Sequence, residues 1–230
     1  MSTPSSAADF PVVCWNCHER SAGTHVCGNC GKLLHPDEDG DFFAVFGLSR
    51  KLWIDMGELE QKFLRLSWKL HPDNFVNAPE EERELSLKRS SELNDAYRTL
   101  SDPIARLEYL LALEGERKEG EKKQQAPPEL LEEVFELNES LDELREARAA
   151  GGDLGALRAR LAAAEKSFAG KLGEVDRQLQ GIAQEWDAAV DRKADAGARK
   201  ALMARMNESL NRRSYIRNLV TSVAKELGGN

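Results

Sequence analysis

Lys69-Leu70-His71-Pro72-Asp73-Asn74-Phe75 is the stretch whose reading settles the architecture. Pro72 lacks the N–H that a helical ladder needs, and its ring disfavours helical geometry at His71. A helix arriving from the N-terminal side must therefore end here. One does arrive: Leu59, Phe63, Leu66 and Leu70 recur at spacings of four, three and four, which is one face of a helix. Lys62, Arg65 and Lys69 cluster on a neighbouring face. Beyond the turn, Leu85, Ser86, Arg89, Leu93, Ala96 and Leu100 form a second stripe, which Ser101-Asp102-Pro103 stops. The spacing predicts two helices packed antiparallel, with His71 and Asp73 exposed on the turn and the basic face toward solvent. A carboxylate so placed can pair with a partner's arginine. A basic face on an acidic chain favours electrostatic docking on an acidic surface. Taken alone, the three cations read as an ordinary solvated face and the tripeptide as a helix stop. Found together between two helices, they read as a docking surface.

Outward from the hairpin, the 230 residues carry a net charge of −8, which argues against nucleic acid as the main partner. A hydrophobic fraction of 41% suffices for packed cores, while 31% charged and 7% aromatic residues fit long solvated helices. No apolar run approaches the length of a membrane span, so no membrane association is expected. Residues 1–13 lack arginine and contain Asp9, so neither a signal nor a transit peptide is expected, and a cytoplasmic location follows.

All four cysteines lie in two C-x-x-C knuckles, Cys14-Trp15-Asn16-Cys17 and Cys27-Gly28-Asn29-Cys30, separated by nine residues. Each knuckle places two thiolates on a tight turn, and two knuckles complete a tetrahedral four-sulfur shell for a structural zinc. Gly31 lets the backbone wrap so that its N–H groups face the sulfurs. So small a segment has almost no apolar core, and metal binding would supply most of its folding energy. Four thiolates leave no open coordination position, so chemistry at the metal is not expected. Rubredoxin-like iron is the metal alternative, because the same ligands suit it. A thiol redox site lacks the βαβ surroundings it needs. His18 and His25 lie nearby and are expected to be solvated rather than ligands.

The chain divides by composition into a loose tail (1–13), the cysteine module (14–36), a helical segment (41–113), a charged linker (114–128) and a C-terminal helical bundle (129–230). In the bundle, Leu130, Val134, Leu137, Leu141 and Leu144 form one seam. Gly151-Gly152 breaks the helix and Asp153 is a good N-cap for the next. That helix carries a long seam through Leu154, Leu157, Leu161, Phe168, Leu172, Val175, Leu179, Ile182 and Trp186. Ile216, Val220, Val223 and Leu227 line a third helix, giving an antiparallel three-helix bundle. Leu131 and Phe135 fall off the first seam beside Glu136, Glu139 and Glu143, and Tyr215 and Leu219 fall off the third. Such a row is either a protein-binding patch or the wider apolar face a bundle needs. The fold class is therefore mainly all-α, with a helical hairpin, a three-helix bundle and a small N-terminal knuckle module.

Several stretches together resemble one family. Asp41-Phe42-Phe43-Ala44-Val45-Phe46-Gly47-Leu48, the His71-Pro72-Asp73 turn, Asn94 to Leu100 and Glu108-Tyr109-Leu110-Leu111-Ala112-Leu113 resemble J-domain co-chaperones of the HscB/Jac type. The four-cysteine module is similar to the zinc extension of some members. The likeness is clear over residues 41–145 and weaker in the last helix. It implies a protein that stimulates a DnaK/HscA-type heat-shock ATPase through His71, Pro72, Asp73, Lys62, Arg65 and Lys69. It also implies that an IscU-type iron–sulfur scaffold protein is held by Leu131, Phe135, Glu136, Glu139, Glu143 and Tyr215. Cys14, Cys17, Cys27 and Cys30 would hold one structural metal ion, and the module's role, dimerisation included, stays open. Two positions depart from the pattern: Asn74 stands where many J-proteins carry Lys or Arg, and Glu132 where some members are apolar. No nucleophile, general base or catalytic cofactor is implied. The competing readings are a general J-protein with other clients, a thiol redox enzyme and a zinc-ribbon nucleic-acid binder. The last is disfavoured because Arg20 and Lys32 are the module's only basic residues.

Overall fold

Asp55 accepts a hydrogen bond from the Glu58 backbone N–H at 2.9 Å and so starts the helix that leads to the His71 turn. In the computed structural model, which describes residues 12–21, 25–36, 40–117 and 127–228, the chain divides into two compact units, Met1–Glu114 and Gly115–Asn230. Most of the expected tail and linker lies outside the described residues.

The first unit holds β1 (Val12–Val13) and β2 (Arg20–Ser21), followed by α1 (Phe42–Val45), α2 (Met56–Leu70), α3 (Glu80–Ser101) and α4 (Pro103–Leu113). The two short strands pair antiparallel, Val12 opposite Ser21 and Val13 opposite Arg20. The core of the unit is made by Phe43, Leu59, Leu70, Leu93, Leu100, Leu110 and Leu111, all buried. Every member of the second stripe (Leu85, Ser86, Arg89, Leu93, Ala96 and Leu100) is buried, as its period predicts. Phe63 on α2 stacks on Tyr97 of α3, ring centroids 4.2 Å apart. The hydroxyls of Ser86 and Ser90 donate to the Leu70 carbonyl at 2.7 and 2.9 Å, satisfying an acceptor that the end of α2 leaves without an intrahelical donor. Asp102 accepts from the N–H groups of Ile104 and Ala105, so α3 stops and α4 starts at one residue. The ends of the segment are tied by Arg50, which donates to Asp41 at 2.6 Å and to Glu114 at 3.1 Å. Tyr109 stacks on Phe42 and accepts from its N–H at 2.9 Å.

The second unit is an antiparallel bundle of α5 (Leu131–Ala149), α6 (Gly155–Asp191) and α7 (Ala196–Gly228). The α5–α6 register is marked by Lys171–Glu133 at 2.9 Å and by the Arg160–Glu143 pair. The α6–α7 register is marked by Arg205–Glu185 and Arg213–Asp176, each at 2.6 Å. Leu161, Phe168, Val175, Leu179, Ile182 and Trp186 of the α6 seam are buried, as are Leu202, Met203, Met206 and Leu210 on α7. Gly151 ends α5 at φ 68°, a conformation that a Cβ would strain. The expected cap of α6 differs in detail: the N-cap position is Leu154, and Asp153 accepts instead from the Gly155 N–H at 2.9 Å. Among the described residues no helix is long and apolar enough to cross a membrane.

Candidate functional site

The turn after α2 is held from both sides. Asn74 Nδ2 donates to the Trp68 carbonyl at 2.7 Å, and the Asn74 N–H donates to the His71 carbonyl at 3.0 Å. His71 Nδ1 accepts from the Asp73 N–H at 3.3 Å and lies 3.5 Å from Asp73 Oδ2. Residues Pro72–Phe75 form a single 3-10 turn, so the histidine and aspartate are displayed on ordered backbone. Their side chains are 54% and 85% exposed. They are free to meet another molecule. Asn74 thus adds a hydrogen bond to the end of α2 where the sequence showed only a missing charge.

The basic face is smaller than expected. Arg65 and Lys69 are exposed, whereas Lys62 is half-buried and its ammonium donates to the Phe46 carbonyl at 3.1 Å, capping the α1 turn. Lys62 is therefore a structural contact within the unit. The reading from spacing missed Leu64 and Trp68, which share the outward side of α2 with Arg65 and Lys69. The signal was available: both residues lie off the Leu59/Phe63/Leu66/Leu70 stripe.

The four thiols converge. One Sγ of each cysteine lies within 4.8 Å of the others, with Cys14–Cys30 at 3.5 Å and Cys17–Cys27 at 3.7 Å. Tetrahedral zinc with sulfurs at about 2.3 Å requires edges of roughly 3.8 Å, so these residues fit such an ion. The N–H groups of Cys30 and Asn29 pull the Cys27 thiol down to about 6, and that of Lys32 pulls Cys30 down. For Cys14, N–H groups of Cys17 and Asn16 act in the same sense, but burial and the neighbouring thiols push it up to about 11. Gly31, at φ 74°, donates its N–H to the Cys27 carbonyl at 2.9 Å. Among the described residues, the buried cluster at the centre of the module contains Leu34 besides the cysteines.

Charged groups buried on α3 and a histidine join this module to the hairpin. Glu82 accepts from Lys32 Nζ at 2.6 Å and lies 3.4 Å from the Leu33 N–H. Arg89 donates to the Leu34 carbonyl at 3.0 Å and to the His35 carbonyl at 2.7 Å. His25, expected to be solvated, is half-buried, and its Nε2 lies 2.8 Å from the Val45 carbonyl, as a donor. Burial lowers its pKa, and the nearby Arg89 and Lys69 charges act in the same sense. His18 is exposed, as expected.

On α5, Leu131 and Phe135 are 54% and 69% exposed, whereas the seam residues beside them are buried. At about 100° per residue, Glu139 continues the Leu131–Phe135 row, while Glu136 and Glu143 lie further round the helix. There Glu136, Glu139, Arg160, Ser167 and buried Phe168 line a groove between α5 and α6. Glu143 is paired with Arg160, so it is not a free carboxylate. Tyr215 and Leu219 on α7 are half-buried.

Residues 41–109 match the DnaJ domain family, which places the first unit's hairpin in the J-domain class. The chain is 35% identical over 150 residues to a Vibrio vulnificus co-chaperone protein HscB homolog, covering 65% of this chain and 85% of that one. It is 36% identical over 130 residues to the iron-sulfur cluster co-chaperone protein HscB homolog of Arabidopsis thaliana, covering 56% of this chain and about half (51%) of the relative. The crystal structure of human co-chaperone protein HscB superposes with a TM-score of 0.61 at 24% identity, covering 93% of this chain and 97% of that one, and so has the same fold. The chain belongs to the HscB co-chaperone family. Its relatives are named as co-chaperones rather than enzymes.

Proposed function

We propose that this protein is a co-chaperone of iron–sulfur cluster assembly that stimulates a DnaK-type ATPase and brings it a scaffold protein. The observation that carries the proposal is the exposure of His71 and Asp73 on an ordered turn at the end of a helix that also exposes Arg65 and Lys69. In this reading Arg65 and Lys69 orient the encounter. Asp73 pairs with a cation of the ATPase, and His71 completes the contact that triggers hydrolysis. The scaffold rests on Leu131, Phe135 and Glu139, with Glu136, Glu143 and Tyr215 at the margin. The cysteine cluster holds zinc as a structural ion. A protein of this kind couples two binding events and supplies no reacting group of its own.

The test is single-turnover ATP hydrolysis by purified DnaK-type chaperones with the full chain, with and without scaffold protein. His71→Gln is expected to abolish stimulation while leaving helicity and scaffold affinity unchanged. Stimulation that survives the substitution would refute the role given to the turn. Pull-down of unfolded clients in place of scaffold would favour a general J-protein. Bound zinc with no titratable free thiol would exclude the redox reading.

A further inference from the structure

We infer that Leu64 and Trp68 are apolar anchors for the ATPase partner, and that they fit a slot on it bordered by carboxylates. The inference rests on the reading of the His71 turn as the contact with that ATPase, and deepens it by stating the partner's surface chemistry.

Leu64 is 59% exposed and Trp68 81% exposed. Four residues apart, they stand about 40° from each other on one side of α2. The opposite side of the same helix is committed to packing, with Leu59 and Leu70 buried and Phe63 stacked on Tyr97. A single exposed apolar residue needs no explanation. Here the largest apolar side chain available and a leucine share a stripe with Arg65 and Lys69. Neither of these cations has a hydrogen-bond or ion-pair partner among the described residues. Trp68 also precedes His71 by only three residues, or about 4.5 Å of helix rise.

This combination defines the complement. Two unpaired cations call for carboxylates, and a tryptophan calls for an apolar recess large enough to take about 150–250 Å² of side chain. The chain is net −8, so a local cationic stripe favours one orientation of approach to an acidic surface. Exposed charge pairs contribute little to equilibrium affinity and are screened by salt. Strong anchors of protein interfaces are enriched in tryptophan seated in desolvated pockets. The Asn74 bond to the Trp68 carbonyl fixes the last turn of α2, so the indole is presented on backbone that is already ordered.

The experiment titrates full-length chain against a purified DnaK-type chaperone, reading single-turnover stimulation at low and high salt. For Trp68→Ala the half-maximal concentration is expected to rise about thirtyfold, with the plateau of stimulation kept. Leu64→Ala should raise it less, and Trp68→Phe should recover part of the loss. The Trp68→Ala loss should be the same at both salt concentrations, whereas Arg65→Ala/Lys69→Ala should flatten the salt dependence. A Trp68→Ala chain that matches wild type within twofold overturns the inference and leaves the role of His71 standing. So does a variant that changes only self-association in sedimentation. A wild-type chain that stimulates no better than His71→Gln overturns both.

Discussion

Arg89 was legible in the sequence as a member of a helical stripe, but its work was not. The period places it on the buried face of α3, where a guanidinium is a liability unless its donors are satisfied. Its Nη1 pairs locally with Glu92 at 3.2 Å, but Nε and Nη2 find their acceptors more than fifty residues away, at the Leu34 and His35 carbonyls. No local pattern announces such a pairing, and the same holds for Glu82 with Lys32 and for His25 with Val45. Asn74 is the converse case: the departure from Lys or Arg was visible, and its hydrogen bond to Trp68 was not. Because truncating Arg89 leaves two backbone carbonyls without donors, Arg89→Ala should destabilise the first unit by about 3 kcal/mol. Chemical denaturation followed at residues of that unit measures this directly, and a loss under about 0.5 kcal/mol, typical of surface substitutions, would mean that the carbonyls find other donors.

The helices themselves were readable because their apolar residues recur locally, and Pro72, Asp102-Pro103 and Gly151 punctuate them with residues whose backbone chemistry is restrictive. Two-residue strands have no period to read, so β1 and β2 were invisible, as was the seating of the knuckles on α1 and α3. That seating gives metal removal a defined consequence. Among the described residues the module's centre is the four cysteines and Leu34, too little apolar surface to hold the knuckles once the ion is gone. Undocking then takes Lys32 from Glu82, two carbonyls from Arg89 and His25 from the Val45 carbonyl. Chelation is therefore expected to abolish amide-exchange protection in the knuckles and to lower it in α1 and the first half of α3. Protection in α5, α6 and α7 should be unchanged. Exchange monitored by mass spectrometry decides the matter: loss confined to the knuckles would show that α3 does not depend on the module for its stability.

For the whole molecule, the proposed function is a linkage, and linkage is reciprocal for binding free energies. If scaffold on the α5 row raises the chain's affinity for the chaperone, the chaperone must raise its affinity for scaffold by the same factor. Such factors are typically about 5 to 150. The exposed row was only half legible. Its residues were seen to leave the seam, but sequence alone does not say whether a third helix covers them, and 54% and 69% exposure answers that for Leu131 and Phe135. Replacing both by Ala removes apolar contact without opening the core, since the seam residues Leu130, Val134 and Leu137 stay buried. The double variant should bind scaffold at least about tenfold more weakly, as expected for truncated interface anchors. It should also stimulate the ATPase normally in the absence of scaffold. Calorimetric titrations of each partner in the presence and absence of the other give the coupling factor twice over, and the two values must agree for wild type. In the double variant, any coupling that remains arises from the other scaffold contacts of this chain or from scaffold touching the chaperone directly. The difference between the two coupling factors is then the share carried by the row on α5, and a variant with undiminished coupling would remove that row from the account.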